Sequence, residues 1–436
     1  MPSKNEEGLT WQNAQEILLS CASKKITKGT HMSTFFEYRC GECVYLKSLD
    51  TNSVVAIDSL NYEKSTFAEV VEKVNEKVEF VRNFDTTQDN ELSLVILTTM
   101  ECNFSCSYCF ENGHRGNINI LISNVKLLAS WIRNTIKGNS VKTVDITFTG
   151  GEPLLNFNVI AELVELLSEL DIEITYGLIT NGYFLNHDIL QFLDDHRFMV
   201  QLSFDEDSVM HNQLRRYKNS GTFNIILNKI VDIVNNYPRI KCNVRVNIVD
   251  AAPKHIEDLI NEMKDRISDS ESLFLYADFL DVLKPSSLII DKSQKWKLMT
   301  SFLWMASNAG FKIVESITSG ANCMAKSKLA YTVGCDGNIY KCYSLVGVDE
   351  FIVGNISTSI CGGNTNDEIC TKDCIYKDMC NGGCYYKGLL DNGKFGKFCE
   401  YDYIDKVNKF LFLNEVLDDT YGEIVDKISK VEVITI

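Results

Sequence analysis

Three cysteines stand close together at Cys102, Cys106 and Cys109, in the spacing C-x3-C-x2-C. Three thiolates in one short loop can converge on an iron–sulfur cluster, and a four-iron cluster would then keep one iron without a protein ligand. An external ligand can bind that open iron and take an electron from the cluster. The alternative is three core or disulfide cysteines, which this spacing disfavours in a chain without a recognisable secretory signal.

The segment that carries these cysteines, TTMECNFSCSYCF at 98–110, resembles the cluster motif of the radical S-adenosylmethionine (radical SAM) family. The resemblance includes the aromatic Tyr108 before the third cysteine, and it covers most of the chain from about residue 91 onward. It implies that the amine and carboxylate of S-adenosylmethionine (SAM) chelate the open iron of a 4Fe-4S cluster. Reductive cleavage of SAM would then give a 5′-deoxyadenosyl radical.

Polar motifs at later points support the same resemblance. A Gly-Gly-Glu-Pro turn at 150–153 lets the backbone approach a ligand and offers carbonyl oxygens to an ammonium group. Asn181 and Ser203 each follow or end an apolar run, and Arg215 offers a planar fork that suits a carboxylate. Each polar residue taken singly could be a cap or a turn. The resemblance assigns these residues to SAM: Tyr108, Gly150, Gly151, Glu152, Pro153, Asn181, Ser203 and Arg215.

Three further residues lie near this predicted site. His211 could act as an acid or base, but the prediction is that it caps a helix or packs. Arg245 and Asn247 are predicted to line the pocket. No catalytic residue is predicted beyond the cluster itself.

Cysteines return from Cys323 onward, in a pattern that resembles the SPASM extension of radical SAM enzymes, which carries two auxiliary 4Fe-4S clusters. The resemblance assigns auxiliary cluster I to Cys323, Cys342 and Cys384, with Cys335 as a candidate fourth ligand. If Cys335 does not bind cluster I, one iron of that cluster has no protein ligand. The resemblance assigns auxiliary cluster II to Cys370, Cys374, Cys380 and Cys399.

One spacing departs from the SPASM pattern. Three residues separate Cys370 from Cys374, where the family usually has two, so the loop must bulge or Cys370 is not a ligand. The alternative for the whole region is a structural zinc site, since four-cysteine zinc sites use similar spacings.

Hydrophobic periodicity predicts the elements that position these residues. Six apolar β runs, at 92–97, 144–148, 172–179, 198–204, 240–248 and 272–276, alternate with amphipathic helical patterns. Such alternation predicts a parallel sheet, here an α/β fold with a partial (β/α)6 TIM barrel. In such barrels function collects at the C-terminal ends of the strands, and the motifs fall at these ends.

The chain is predicted to divide into five parts. Three short β-rich runs and a helical run at 66–78 resemble, in architecture only, the winged-helix module that holds a leader peptide; the alternative is a plain cap on the barrel. Cys40 and Cys43 form a C-x2-C pair without a second pair nearby, which does not favour a metal site. The predicted parts are an N-terminal helical segment (1–31), a winged-helix-like leader-peptide recognition module (32–90), the radical SAM partial barrel (91–315), a SPASM domain (316–410) and a C-terminal tail (411–436) that ends in a β-like run, VEVITI.

Composition excludes several classes of partner. The chain of 436 residues has a net charge of −16, which argues against a nucleic-acid-binding surface or an anionic membrane partner. No apolar run is long enough to span a bilayer. Sixteen cysteines without a secretory signal predict metal ligands, a cytoplasmic location and a strongly reducing cell.

The resemblance implies a reaction on a peptide, with a precursor peptide that carries a leader and an external electron donor such as flavodoxin or ferredoxin as partners. Sulfatase maturases, which make formylglycine, commonly place an Asp base after the cysteine equivalent to Cys342; here that residue is Tyr343, and a phenol with a pKa of about 10 is a poor base. This difference favours a maturase of ribosomally made peptides. The segment at 380–401 resembles thioether-forming (sactipeptide or ranthipeptide) members of that group, and an open cluster I could hold a substrate cysteine, so the prediction is a thioether-forming enzyme. Carbon–carbon or carbon–oxygen crosslinking, formylglycine formation and a non-enzymatic iron–sulfur or zinc peptide-binding module are the alternatives.

Overall fold

The computed structural model describes residues 34–49, 54–59, 90–109, 116, 118–267, 271–280, 288–314, 323–358 and 374–435. The helices predicted within 1–31 and at 66–78, and the predicted ligand Cys370, lie outside these residues. The chain forms two compact units, Met1–Thr86 with Asp405–Ile436 and Thr87–Ile404. The five-part division of the chain remains a prediction.

The first unit contains a four-stranded antiparallel sheet. Its strands are β1 (Thr34–Cys40), β2 (Cys43–Ser48), β3 (Val54–Asp58) and the C-terminal β16 (Glu432–Thr435), in the order β16-β1-β2-β3. The three predicted N-terminal β runs are therefore strands, and the C-terminal run pairs with β1. Phe36 on β1 stacks on Phe412, with ring centroids 5.9 Å apart, in the core of this unit.

The second unit is built on a ten-stranded sheet. Its strands are β4 (Glu91–Thr99), β5 (Thr143–Gly150), β6 (Glu173–Thr180), β7 (Met199–Asp205), β10 (Lys241–Ile248), β11 (Leu273–Phe279), β12 (Lys312–Ile313), β13 (Ala330–Val333), β14 (Asn338–Tyr340) and β15 (Gly354–Asn355). The order is β12-β11-β10-β7-β6-β5-β4-β13-β14-β15, and β8 (Arg216–Tyr217) with β9 (Ser220–Gly221) forms a separate ribbon. All six predicted strands are present, and every pairing from β12 to β13 is parallel.

Helices connect the parallel strands from β4 to β12. They are α1 (Val125–Asn139), α2 (Phe157–Leu167), α3 (His187–Asp195), α4 (Ser208–Leu214), α5 (Phe223–Asn236), α6 (Pro253–Arg266) and α7 (Lys292–Asn308). Four more, α8 (Lys377–Cys380), α9 (Tyr385–Asn392), α10 (Tyr401–Val416) and α11 (Tyr421–Lys427), lie between β15 and β16 in the chain. In α5 the buried residues Phe223, Ile226, Leu227, Ile230 and Ile233 recur at helical spacing. Among the residues that the structure describes, no helix is both long and apolar enough to cross a bilayer.

The two faces of the sheet differ in polarity because side chains alternate along a strand. On β7, β10 and β11 one face is fully or almost fully buried and apolar, as at Phe204, Val246 and Leu275. The opposite face is polar, and its residues align across the strands in two rows. These rows are Ser203–Arg245–Tyr276 and Asp205–Asn247–Asp278. The strand ends therefore bring polar side chains from three separate segments to one place.

Candidate active site

The cysteine loop directly follows β4 and is tied to the segment after α4. Ser105 N donates to Arg216 O at 3.0 Å and Ser107 N to Leu214 O at 3.3 Å, while Phe104 forms a β-bridge with Tyr217. Phe104 is 2% exposed, so its ring anchors the middle of the loop. Backbone contacts with a second segment thus hold Cys102, Cys106 and Cys109 in one loop, with Cys106 buried and the other two partly exposed.

The Gly-Gly-Glu-Pro turn lies directly against this loop. Gly151 N donates to Thr99 O and Glu152 N to Glu101 O, both at 2.8 Å. A Cβ atom on Gly150 would lie 2.2 Å from Thr99 O, and one on Gly151 would lie 2.2 Å from Glu101 O. The glycines are therefore required by the close approach of the backbone that leads into the cysteine loop, and the predicted approach of a ligand to this turn stays a prediction.

Glu152 connects two strand ends. Its Oε1 accepts hydrogen bonds from Thr180 Oγ1 at 2.6 Å and from Leu154 N at 3.1 Å, and its Oε2 accepts one from Asn181 N at 2.8 Å. The carboxyl group is fully buried, and burial raises its pKa. The side chain thus positions Asn181, whose Nδ2 donates to Asn103 Oδ1 at 2.8 Å and lies 4.0 Å from Cys102 Sγ.

Tyr108 stands at the centre of a buried polar network. Its hydroxyl donates to Asp205 Oδ1 at 2.5 Å and accepts from Arg215 Nη1 at 2.9 Å. Asn247 Nδ2 donates to the same Asp205 oxygen at 2.9 Å and lies 3.3 Å from the Tyr108 hydroxyl. Burial raises the pKa of Tyr108 well above its usual range, and the Arg215 guanidinium only partly opposes this. Tyr108 is therefore a neutral donor that joins the cysteine loop to the ends of β7 and β10.

His211 packs beside this network. Its Nδ1 accepts from Asp205 N at 3.3 Å, so its Nε2 carries the proton and donates to Thr222 Oγ1 at 3.1 Å. Thr222 Oγ1 in turn donates to Arg215 O at 2.8 Å. The ring is fully buried, and burial lowers the pKa of His211 well below its usual value. The predicted packing role agrees with this geometry, because a neutral ring links the backbones of Asp205 and Arg215.

Several buried atoms near the cysteine loop have no hydrogen-bond partner among the described residues. They are Arg215 Nε, Asp205 Oδ2 and Asn103 Nδ2. Buried polar groups are almost always hydrogen-bonded, so these atoms indicate a polar ligand. A guanidinium and a carboxylate beside a three-cysteine loop fit the carboxylate and hydroxyl groups of SAM and an iron–sulfur cluster. Ser203 is half-buried on the row next to Asp205, opposite Arg245.

A second group of cysteines lies in the segment from 323 onward. Burial raises the pKa of Cys342 to about 12, and the thiols of Cys384 and Cys323 add to this effect. Burial also raises the pKa of Cys380, which has Cys399 as an electrostatic neighbour. Cys323, Cys342 and Cys384 are thus electrostatic neighbours of one another, as are Cys380 and Cys399, while Cys374 lies just before α8; the assignment of these cysteines to two clusters stays a prediction.

No three Cys, His, Asp or Glu side chains in the described part of the chain are close enough to hold a single metal ion. A four-iron cluster is larger than one ion and keeps its cysteine ligands farther apart, so the donor set is the relevant test. Three thiols in each set fit such a cluster. Cys335, the candidate fourth ligand of cluster I, instead donates its thiol proton to Leu97 O at 3.2 Å.

Sequence reasoning missed two features of these regions. Asp205 is not among the site residues predicted from the sequence, although the alternation of side chains along a strand places it on the same face as Ser203. Lys326 and Lys341 are not among them either. Lys341 Nζ donates to Ser327 O at 2.6 Å and to Ala330 O at 2.9 Å, and burial lowers its pKa to about 8. No local signal marks either lysine.

Comparison with known proteins matches part of this chain to a family. Residues 96–263 match the model of the Radical SAM superfamily. A cysteine-type anaerobic sulfatase-maturating enzyme of Clostridium novyi (strain NT) is 23% identical over 336 residues, which cover 67% of this chain and 87% of that protein. The radical SAM cyclopropyl synthase TigE of Paramaledivibacter caminithermalis is 25% identical over 219 residues, which cover 40% of this chain and 45% of that protein.

Solved structures share the fold. Native anSMEcpe with bound AdoMet has a TM-score of 0.60 at 18% identity, covering 78% of this chain and 99% of that chain. Streptococcus suis SuiB bound to precursor peptide SuiA has a TM-score of 0.52 at 15% identity, covering 84% of this chain and 98% of that chain. At these identities the likeness concerns the fold alone, an α/β fold with a mostly parallel central sheet. Residues 96–263 therefore form a radical SAM domain, and the Radical SAM family uses SAM and a 4Fe-4S cluster.

Proposed function

We propose that this enzyme modifies a ribosomally made precursor peptide, abstracting a hydrogen atom from it and closing a thioether crosslink. The main observation behind this proposal is the buried hydrogen-bond network of Tyr108, Asp205, Arg215 and Asn247. It joins the cysteine loop to the ends of β7 and β10, on the polar face of the sheet. When bound, the cluster and SAM together supply the 5′-deoxyadenosyl radical that accepts the hydrogen atom. A peptide substrate agrees with the sulfatase-maturating relative and with the fold shared with SuiB, whose structure holds a precursor peptide.

In this proposal Cys102, Cys106 and Cys109 hold the SAM cluster. Arg215 binds the SAM carboxylate through its unpartnered Nε, and Asp205 Oδ2 accepts a hydrogen bond from a SAM hydroxyl or ammonium group. Ser203 contributes from the neighbouring row of the sheet. Glu152 positions Asn181 through its hydrogen bonds, and its predicted contribution to the SAM site would act through that contact. Gly150 and Gly151 let the turn pack against the cysteine loop.

Auxiliary clusters held by the second group of cysteines would supply an acceptor for the electron that crosslinking releases. Closing a thioether removes a hydrogen atom from carbon, a proton from the substrate thiol and one electron, so an acceptor other than SAM is needed. Cluster I would be held by Cys323, Cys342 and Cys384, and cluster II by Cys370, Cys374, Cys380 and Cys399. The hydrogen bond from Cys335 to Leu97 supports a cluster I with an open iron, which a substrate thiolate could occupy.

Other parts of the proposal concern partners. The sheet of the first unit would receive the leader peptide by strand addition. A flavodoxin or ferredoxin would supply the electron for SAM cleavage.

Carbon–carbon or carbon–oxygen crosslinking is the second candidate reaction, and formylglycine formation is supported by the sulfatase-maturating relative. Tyr343 counts against formylglycine: its hydroxyl is desolvated, which raises the pKa of Tyr343, although the residue as a whole is 41% exposed.

The test begins with anaerobically reconstituted protein, SAM and dithionite. We expect 5′-deoxyadenosine, and about twelve irons per chain for three four-iron clusters. With a precursor peptide encoded beside this gene, loss of an alkylatable thiol and of two hydrogens would support the thioether, whereas retained thiols in a modified peptide would favour the other crosslinks. Fully loaded protein that makes no 5′-deoxyadenosine would refute the proposal.

A further inference from the structure

Lys326 lies between the two predicted sets of auxiliary-cluster ligands. Its Nζ donates hydrogen bonds to Asn381 O and, at 2.7 Å, to Gly383 O, two carbonyl groups of the short loop between Cys380 and Cys384. Its own backbone N donates to Cys323 O at 2.9 Å. One lysine therefore connects the loop that carries Cys323 to the loop that separates a predicted cluster II ligand from a predicted cluster I ligand.

The loop that Lys326 contacts has a fixed, unusual backbone. Asn381 has φ +44° and Gly383 has φ +74°, both in the left-handed region that glycine and asparagine tolerate best. A Cβ atom on Gly383 would lie 2.0 Å from Phe398 O, and Phe398 N donates to Gly382 O at 2.9 Å. The loop thus packs against the residue before Cys399, and its conformation turns two carbonyl oxygens toward one ammonium group.

Burial and the neighbouring thiols act on the Lys326 ammonium group in opposite directions. Burial lowers the pKa of Lys326, and the Cys323, Cys380 and Cys384 thiols act in the opposite direction. The ammonium lies 4.9 Å from the centre of the Tyr385 ring. The cation is therefore partly desolvated and faces cysteines of both predicted sets, a situation in which its charge is screened less than on an exposed surface.

We propose that Lys326 is a positioning residue shared by the two auxiliary clusters: its charge raises the reduction potentials of both, and its hydrogen bonds hold their ligand loops together. The inference rests on the proposed function, since it requires that both clusters exist. Reduction makes a cluster more negative, so a nearby fixed cation stabilises the reduced form. A higher potential makes each cluster a better acceptor for the electron released in crosslinking.

The test compares four proteins purified and reconstituted without oxygen: wild type, Lys326→Gln, Lys326→Arg and Lys328→Gln. Lys328 is the matched control because it is an exposed lysine in the same loop. Iron is counted in each protein, and the reduction potentials of the auxiliary and SAM clusters are measured by redox titration followed by electron paramagnetic resonance. The SAM cluster is an internal reference, and the measurement needs no peptide.

We expect Lys326→Gln to shift both auxiliary potentials downward while the SAM-cluster potential stays unchanged. Lys326→Arg keeps the charge and the donors, and Lys328→Gln removes only an exposed charge, so both should match wild type. Loss of auxiliary iron in Lys326→Gln but not in Lys326→Arg also supports the proposal. A fully loaded Lys326→Gln with unchanged auxiliary potentials overturns it. If wild type holds only about four irons, the auxiliary clusters of the proposed function fail, and the inference fails with them.

Discussion

The two cysteine-rich regions are held in place by different kinds of contact. The loop of Cys102, Cys106 and Cys109 is continuous in sequence. Backbone contacts with the segment after α4 hold it, and so does the hydrogen bond from Tyr108 in the loop to Asp205 at the end of β7. The cysteines from 323 to 399 are dispersed, and lysine ammonium groups that bind backbone carbonyls connect their loops. The first region is tied to the sheet by a side chain of the loop, whereas lysine side chains add to the backbone contacts that connect the loops of the second region.

The largest expected effect is at the first region. Replacing Cys106 by Ala should abolish 5′-deoxyadenosine formation and remove about four irons, because two thiolates cannot hold the cluster that binds SAM. Product is measured by chromatography and iron by a colorimetric assay. The matched control is Cys242→Ala, which removes a thiol that is buried on β10, away from the loop. Normal turnover in Cys106→Ala would show that this loop does not hold the catalytic cluster.

The next effect concerns the second region. Cys342→Ala should lose about four irons while keeping SAM cleavage without peptide, because the proposed cluster I would be separate from the SAM cluster. Cys335→Ala should keep its full iron content, since Cys335 donates to Leu97 O, and should lose only about 1 kcal/mol of stability with that hydrogen bond. Equal iron loss in both variants would make Cys335 a ligand and remove the open position from cluster I.

A smaller effect is expected at the network that joins the loop to the sheet. Tyr108→Phe removes the hydroxyl that Asp205 and Arg215 share, leaving buried polar atoms unsatisfied at a cost of about 1–3 kcal/mol. SAM affinity should fall roughly 10-fold or more for the same reason, as measured by the SAM-induced change in the cluster spectrum. The control is Tyr237→Phe, whose hydroxyl lies 3.0 Å from His187 Nδ1. Wild-type SAM binding in Tyr108→Phe would mean that the network is not part of the site.

The smallest effect on the reaction itself is expected at Glu206, which governs a pH dependence of stability. Glu206 is fully buried next to Asp205, and burial, with Asp250 nearby, raises its pKa from 4.5 to about 9. The folded protein keeps this proton where the unfolded chain releases it, so stability falls as pH rises between these values, by up to ~1.4 kcal/mol per pH unit.

Glu206→Gln should remove this contribution, so its unfolding midpoint should fall less than that of wild type as the pH is raised. Thermal unfolding at several pH values checks this, with the exposed Glu165→Gln as the control. Parallel pH profiles for Glu206→Gln and wild type would contradict a protonated Glu206 in the folded state.

Much of the fold could be predicted because buried parallel strands appear in the sequence as short apolar runs. Runs such as 144–148 and 240–248 became β5 and β10 with shifts of one or two residues at their ends. The partners of β13 and β16 could not be predicted, since pairing between distant segments leaves no local pattern. The same limit applied to Lys326, whose contacts lie 55 and 57 residues away in sequence.

The pairing of β13 with β4 has a consequence for how the chain can be divided. Four residues of β13, Ala330–Val333, cover β4 on the side opposite β5. A fragment that ended at residue 315 would leave the backbone N–H and C=O groups on that side of β4 without this strand. Exposed strands of this kind recruit other chains, so such a fragment should aggregate even though it contains every residue of the radical SAM domain.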